Sequence, residues 1–127
     1  MRPLRFGYWW LAGGILLLAY VLYATLAPAV RPTAIILFND KVAHFLAFAA
    51  LMAWFTGVFS PRLFPLVAIL LAALGVGIEF LQAQLTYRTA EVADALFDFA
   101  GIVVAWVLAL AGLGRWAEVV EARILRG

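Results

Sequence analysis

Cysteine is missing from the sequence. That absence excludes disulfides, thiolate metal sites and cysteine nucleophiles, and it leaves the redox compartment undefined. Histidine occurs once. Charge is also scarce: 13% of residues are Asp, Glu, Lys or Arg, against about 25% in a soluble domain. The net charge of +2 is small, so the basic balance does not argue for a nucleic-acid partner. What fills the chain is apolar: 68% of the residues are hydrophobic. A water-exposed surface of that composition would be too greasy to stay soluble.

Four stretches have the roughly 20 apolar residues that a helix needs to cross a bilayer. They cover about residues 8–27, 42–59, 63–82 and 96–113. No linker, composition shift or internal repeat divides the chain, so residues 1–127 read as one domain. The expected fold is all-α, a compact bundle of four transmembrane helices followed by a short amphipathic C-terminal helix. In that last helix Trp116, Val119, Val120 and Ile124 share a face, which suits a trailing anchor on the membrane surface. A signal peptide is the rival reading of the start, with Arg2 and Arg5 as its basic region and Ala27-Pro28-Ala29 near a cleavage point. The apolar run exceeds the roughly 7–15 residues of such a peptide, which favours an uncleaved anchor.

The basic residues set the orientation. Arg2, Arg5, Arg62, Arg115, Arg123 and Arg126 fall on one side of the four spans, and Arg31, Lys41 and Arg88 on the other. That excess places both termini in the cytoplasm. Tyr8, Trp9, Trp10 and Trp116 then lie at the inner interface, and Tyr20, Tyr23 and Tyr87 near the outer one. Small residues recur at four-residue spacing: Ala43 and Ala47, Ala73 and Gly77, then Gly101, Ala105 and Ala109. Such ridges let helices approach closely in lipid, so the second, third and fourth spans are expected to pack as the core.

Ionisable groups at membrane depth are costly and usually face a partner or a cavity. Here they gather at one end of the bundle. Asp40, Lys41 and His44 open the second span, Glu79 and Gln82 close the third, Arg88 lies in the next loop, and Glu91, Asp94 and Asp98 lead into the fourth. His44 lies about 6 Å below Asp40 along the helix axis, and Glu79 about 7.5 Å below Gln84, so the two reach similar depth. Asp40 with His44, Glu79 with Gln82, and Asp94 with Asp98 each share a helix face. Singly, each has a plainer reading. Asp40 suits an N-cap, Asp94 and Asp98 offset the helix dipole, and Lys41 snorkels to the interface. Glu79 resists such a reading, because it sits inside an apolar run and needs a partner from another helix. The run 34–38, too short to span, would rest on the outer leaflet, either roofing this cluster or serving only as an interfacial anchor.

Three blocks stand in order along the chain: Asp40-Lys41-Val42-Ala43-His44-Phe45, then Glu79-Phe80-Leu81-Gln82, then Arg88 followed by Asp94 and Gly101. In a four-span protein this ordered set resembles the VanZ-like membrane family over roughly residues 40–101. Asp98 departs from the family pattern, which more often has Asn there; an extra carboxylate needs a counter-charge or a proton. The resemblance implies a multi-pass protein of the bacterial cytoplasmic membrane. It also implies a link to the cell envelope, through the family's association with resistance to the glycopeptide teicoplanin.

Several functions remain open on these residues. One is an outward-facing site for an amphipathic envelope molecule, such as a lipid-linked cell-wall precursor or a glycopeptide. There Asp40, Lys41, Gln82, Arg88 and Asp98 would bind, with Lys41 and Arg88 holding a phosphate or carboxylate. A second is a membrane enzyme in which His44, Glu79 and Asp94 carry acid–base chemistry. A metal variant of it would use His44 with Asp40, Asp94 or Glu79, but no spacing is a metal signature, and no metal or cofactor is expected. A third is transport, which in so small a bundle would need oligomers. A fourth is a structural protein whose polar cluster clamps the helices together. The lipid bilayer is the partner common to all four.

Overall fold

The computed structural model describes residues 1–26, 40–85 and 92–126, the side chain of Asp40 excepted. Four long helices follow one another: α1 over Gly7–Leu26, α2 over Asp40–Val58, α3 over Phe64–Ala83 and α4 over Val92–Leu110. A shorter α5 spans Trp116–Arg126. Among the described residues there is no strand. The long helices have 19 or 20 residues, and at about 1.5 Å per residue each matches the roughly 30 Å hydrocarbon core. All four are long and apolar enough to cross a membrane.

The fourth helix is displaced from the expected span of 96–113. It starts at Val92 and ends at Leu110, so Asp94 and Asp98 lie within the helix and do not merely lead into it. Asp94 in the first turn sits at the positive end of the helix dipole, which stabilises the early start. At the other end Gly112 takes φ 119°. Glycine reaches this left-handed conformation without steric cost, and it turns the chain out of the helix.

The core comes mainly from α2, α3 and α4, as the small-residue ridges lead one to expect. Phe48, Leu51 and Met52 of α2 meet Phe64, Val67, Ala68, Leu71 and Ile78 of α3, and Ile102, Ala105 and Ala109 of α4. From α1 only Val21 joins the buried cluster. The most extensive pairing is between α2 and α4. Its tightest point is Gly101, where a Cβ would collide with the carbonyl oxygen of Phe45. In lipid the drive for such a contact is packing rather than escape from water, so close backbone approach is what holds the pair. One ridge is corrected. Ala73 and Gly77 are exposed, because the inward stripe of α3 runs through Leu71, Gly75, Ile78 and Gln82. Gly75, not Gly77, gives the close approach on α3.

At the end of the bundle that carries both chain ends, α5 is fastened by its polar face. Glu121 accepts hydrogen bonds from the backbone N–H of Arg5 and of Phe6, each at 2.8 Å, and from Trp10 Nε1 at 2.7 Å. It thereby satisfies donors at the start of α1, where the helix dipole also favours an anion. Arg2 is buried. Its backbone N–H reaches Val58 O at 2.8 Å and its Nε reaches Thr56 O at 3.1 Å, closing the last turn of α2. Trp54 Nε1 bonds Trp10 O and Trp116 Nε1 bonds Ala53 O, both at 2.8 Å. The rings of Trp10, Trp54 and Trp116 pack together with centroids 5.1–6.0 Å apart. The helix is therefore more than a trailing anchor. Val119, Val120 and Ile124 stay exposed, which suits contact with a membrane surface.

Candidate functional site

The other end of the bundle is where α2 begins, α3 ends and α4 begins. Each of these helices delivers an ionisable side chain inward. His44 stands one turn into α2, on the face that continues through Phe48 into the core. Asp94 and Asp98 lie one turn apart on the buried face of α4. Glu79 and Gln82 occupy the last turns of α3.

His44 Nδ1 and Asp98 Oδ1 are 2.8 Å apart, with His44 9% exposed and Asp98 fully buried. Buried carboxylates need such partners, because lipid and protein interior offer no water to replace them. The other imidazole nitrogen, Nε2, lies 4.0 Å from Asp94 Oδ2, which is beyond hydrogen-bond reach. Donor atoms of His44, Glu79 and Asp94 all fall within 4.8 Å of one another. Lys41 marks the exposed rim: its ammonium is 3.8 Å from Asp94 Oδ1, and its side chain is 36% exposed.

Gly75 shapes the floor of this site. A Cβ there would stand 2.9 Å from Asp98 Oδ2, so any larger residue at this position would force the Asp98 carboxylate to shift. One turn further into the membrane, the Gly101 crossing fixes the spacing of α2 and α4. The His44–Asp98 hydrogen bond thus spans the closest helix pair in the bundle.

The hydrogen bonding here is incomplete. Asp94 Oδ1 and Asp98 Oδ2 are buried and accept no hydrogen bond from the protein. Gln82 gives its amide nitrogen to Thr25 O at 2.8 Å, tying α3 to the last turn of α1, while its Oε1 accepts nothing. Buried polar atoms in folded proteins are nearly always paired, so a concentration of lone acceptors in one place requires an explanation.

Of the residues singled out in the sequence, His44, Glu79, Asp94, Asp98 and Lys41 come together, and Gln82 borders them while holding α1. Asp40 begins α2, but its side chain is outside the described residues. So are Arg88, Glu91 and the run 34–38. Sequence reasoning did not find Gly75. Its only signal is a small residue on the inward stripe of α3, one turn before Glu79.

Fold and site together define a polytopic α-helical membrane protein with a buried histidine–carboxylate centre at one end of its spans. Within that class the chain belongs to the VanZ/LLP1 family, whose model matches residues 15–113. Neither a curated protein nor a solved structure matches it. The family match takes in α2, α3, α4 and most of α1, and leaves α5 outside.

Proposed function

We propose that the polar end of the bundle faces outward at headgroup depth and holds the head of an amphipathic cell-envelope molecule, with a lipid-linked cell-wall precursor the leading candidate. The observation that carries this reading is the group of buried acceptors without hydrogen bonds, Asp94 Oδ1, Asp98 Oδ2 and Gln82 Oε1. A helix clamp selected for stability would pair such atoms, since each one left unpaired costs about 1–3 kcal/mol. A recognition site retains them for a ligand. Lys41 on the rim supplies a cation for an anionic head, and lipid-exposed side chains such as Phe80, Leu81 and Leu96 offer apolar contact to its chain. The setting is the bacterial cytoplasmic membrane with both termini inside, and glycopeptide resistance of the teicoplanin type is one envelope process into which such binding fits.

The test is titration of the nanodisc-reconstituted chain with a lipid-linked precursor. Saturable binding, weakened at least tenfold in an Asp94→Asn, Glu79→Gln double variant, supports the reading. Equal binding by both proteins sinks it.

A second reading has a specific observation behind it. A carboxylate on Nδ1 fixes the histidine tautomer and leaves Nε2 to exchange protons, as in the base-and-orienter arrangement of many hydrolases. Asp98 and His44 stand in that relation at 2.8 Å. Slow turnover of the bound precursor, lost in His44→Gln with binding retained, would distinguish an enzyme from a binding protein.

A further inference from the structure

We infer that His44 Nε2, Asp94 and Glu79 form a binding site for one divalent cation that accepts both imidazole and carboxylate ligands, of the manganese or zinc type. This deepens the reading of the outer polar end as a ligand site and rests on it.

Distance is the first consideration. Two atoms bound to one ion are at most twice the ion–ligand distance apart. That limit is about 4.2 Å for small divalent ions and about 5 Å for calcium. The three donor atoms lie within 4.8 Å of one another, so a small ion needs the side chains to close by about half an ångström. They come from three helices, so the ion would also tie α2, α3 and α4 together.

Orientation is the second and independent consideration. His44 is nine-tenths buried, and its Nδ1 is held by Asp98 at 2.8 Å. This is the outer-shell contact that metal-binding histidines make: a carboxylate takes the far N–H, fixes the tautomer and turns the remaining lone pair toward the ion. Nε2 faces Asp94 Oδ2 across 4.0 Å, too far for a hydrogen bond and close to the span across one ion. Asp94 is also more than nine-tenths buried; its Oδ1 accepts no hydrogen bond and faces the Lys41 ammonium at 3.8 Å, which leaves Oδ2 directed toward His44.

Ligand chemistry is the third. His44, Glu79 and Asp94 offer one imidazole and two carboxylates, and an ion held by three protein ligands keeps coordination positions for phosphate oxygens of a headgroup. The ligand set of one imidazole and two carboxylates mixes the preferences of zinc and manganese, and it has no thiolate to favour softer metals.

The single histidine makes the test decisive. Tag-free full-length protein in nanodiscs is titrated with Mn2+ and followed by electron paramagnetic resonance, with no precursor present. The expected result is saturation at one Mn2+ per chain, displacement by Zn2+, and one histidine-nitrogen coupling, which can arise only from His44. Asp94→Asn should weaken binding at least tenfold. Asp98→Asn, which keeps every ligand but changes what orients His44, should weaken it about 10–100-fold. Absence of saturable binding, binding without nitrogen coupling, or undiminished binding in Asp94→Asn overturns the site. Should Asp94→Asn give no monodisperse protein, the wild-type spectrum alone decides. Because the assay contains no envelope lipid, metal binding with no precursor binding would discard the proposed function and leave the metal site standing.

Discussion

The two ends of this bundle hold polar groups in opposite ways. Where the chain ends meet, Glu121 accepts three hydrogen bonds, Arg2 and Arg115 flank Glu118, and the indole N–H groups of Trp10, Trp54 and Trp116 all find acceptors. At the other end, among the described residues, His44 pairs with Asp98 and Lys41 stands 3.8 Å from Asp94, while buried oxygens of Asp94, Asp98 and Gln82 accept no hydrogen bond. The satisfied end is built as a fastener. The unsatisfied end bears a cost that packing alone does not explain, and sites that give up stability in this way are commonly functional ones.

The comparison breaks most severely at Gly101. Gly101→Ala pushes a methyl group against the Phe45 carbonyl, which is backbone and cannot step aside. We expect a loss of about 3 kcal/mol or more, read as a fall in monodisperse protein and thermal stability, with both ends affected because α2 and α4 form the centre. Next comes Glu121→Ala. It strands three donors and should cost about 2 kcal/mol, loosening α5 while leaving ligand binding at the far end intact. Tryptophan fluorescence and precursor binding, measured on the same sample, would check that separation.

Smaller in stability but sharper in meaning is Gly75→Ala, whose added carbon would stand 2.9 Å from Asp98 Oδ2. We expect about 1 kcal/mol of destabilisation and a tenfold or greater loss of precursor affinity, because the Asp98 carboxylate must move and His44 with it. An unchanged affinity would mean that Asp98 does not position the site.

The smallest effect is acid release of α5. Arg115, and then Arg2, hold the Glu118 carboxyl below its ordinary range. At Glu121 burial pushes the carboxyl up, but hydrogen bonds from Phe6, Trp10 and Arg5 outweigh it and leave it lowered. Groups depressed in the folded state contribute stability that is complete above the unfolded value, about 4.3 for glutamate, and is lost as pH falls through the lower folded value. The tryptophan cluster should therefore keep its emission down to about pH 4 and change below it. Glu118 is part-exposed and salt-screened, so its share is small.

Much of the fold was legible because four apolar runs have one physical solution in a bilayer. The gathering of His44, Glu79, Asp94 and Asp98 at one end followed from helix direction alone. Which of them pair did not, because that depends on the rotation of α4 about its axis. One turn separates Asp94 from Asp98, and the sequence does not say which reaches His44 Nδ1. The displaced start of α4 was hidden for a related reason: an apolar run marks the span only from about Leu96, whereas the helix N-terminus also takes in the more polar turn that holds Asp94. The Glu121 fastener joins residues more than a hundred positions apart with no local period. Arg2 and Arg5 have the same three-residue spacing as Glu118 and Glu121 at the same end, but the hydrogen bond from Arg5 to Glu121 comes from its backbone N–H, with its charge acting beside it. Gly75 shows only once Asp98 is seen beside it.

We hold that the polar end around His44 and Asp98 is kept for a ligand and not for stability. The most direct measurement is the thermal stability of a His44→Leu, Asp98→Val double variant in nanodiscs, beside its precursor binding. Replacing a buried polar pair by apolar groups of similar size is often neutral or stabilising. The account predicts an unchanged or higher Tm together with lost binding. A fall in Tm of more than about 5 °C, roughly 1 kcal/mol for a chain of this size, would show that the pair holds the helices together and would contradict it.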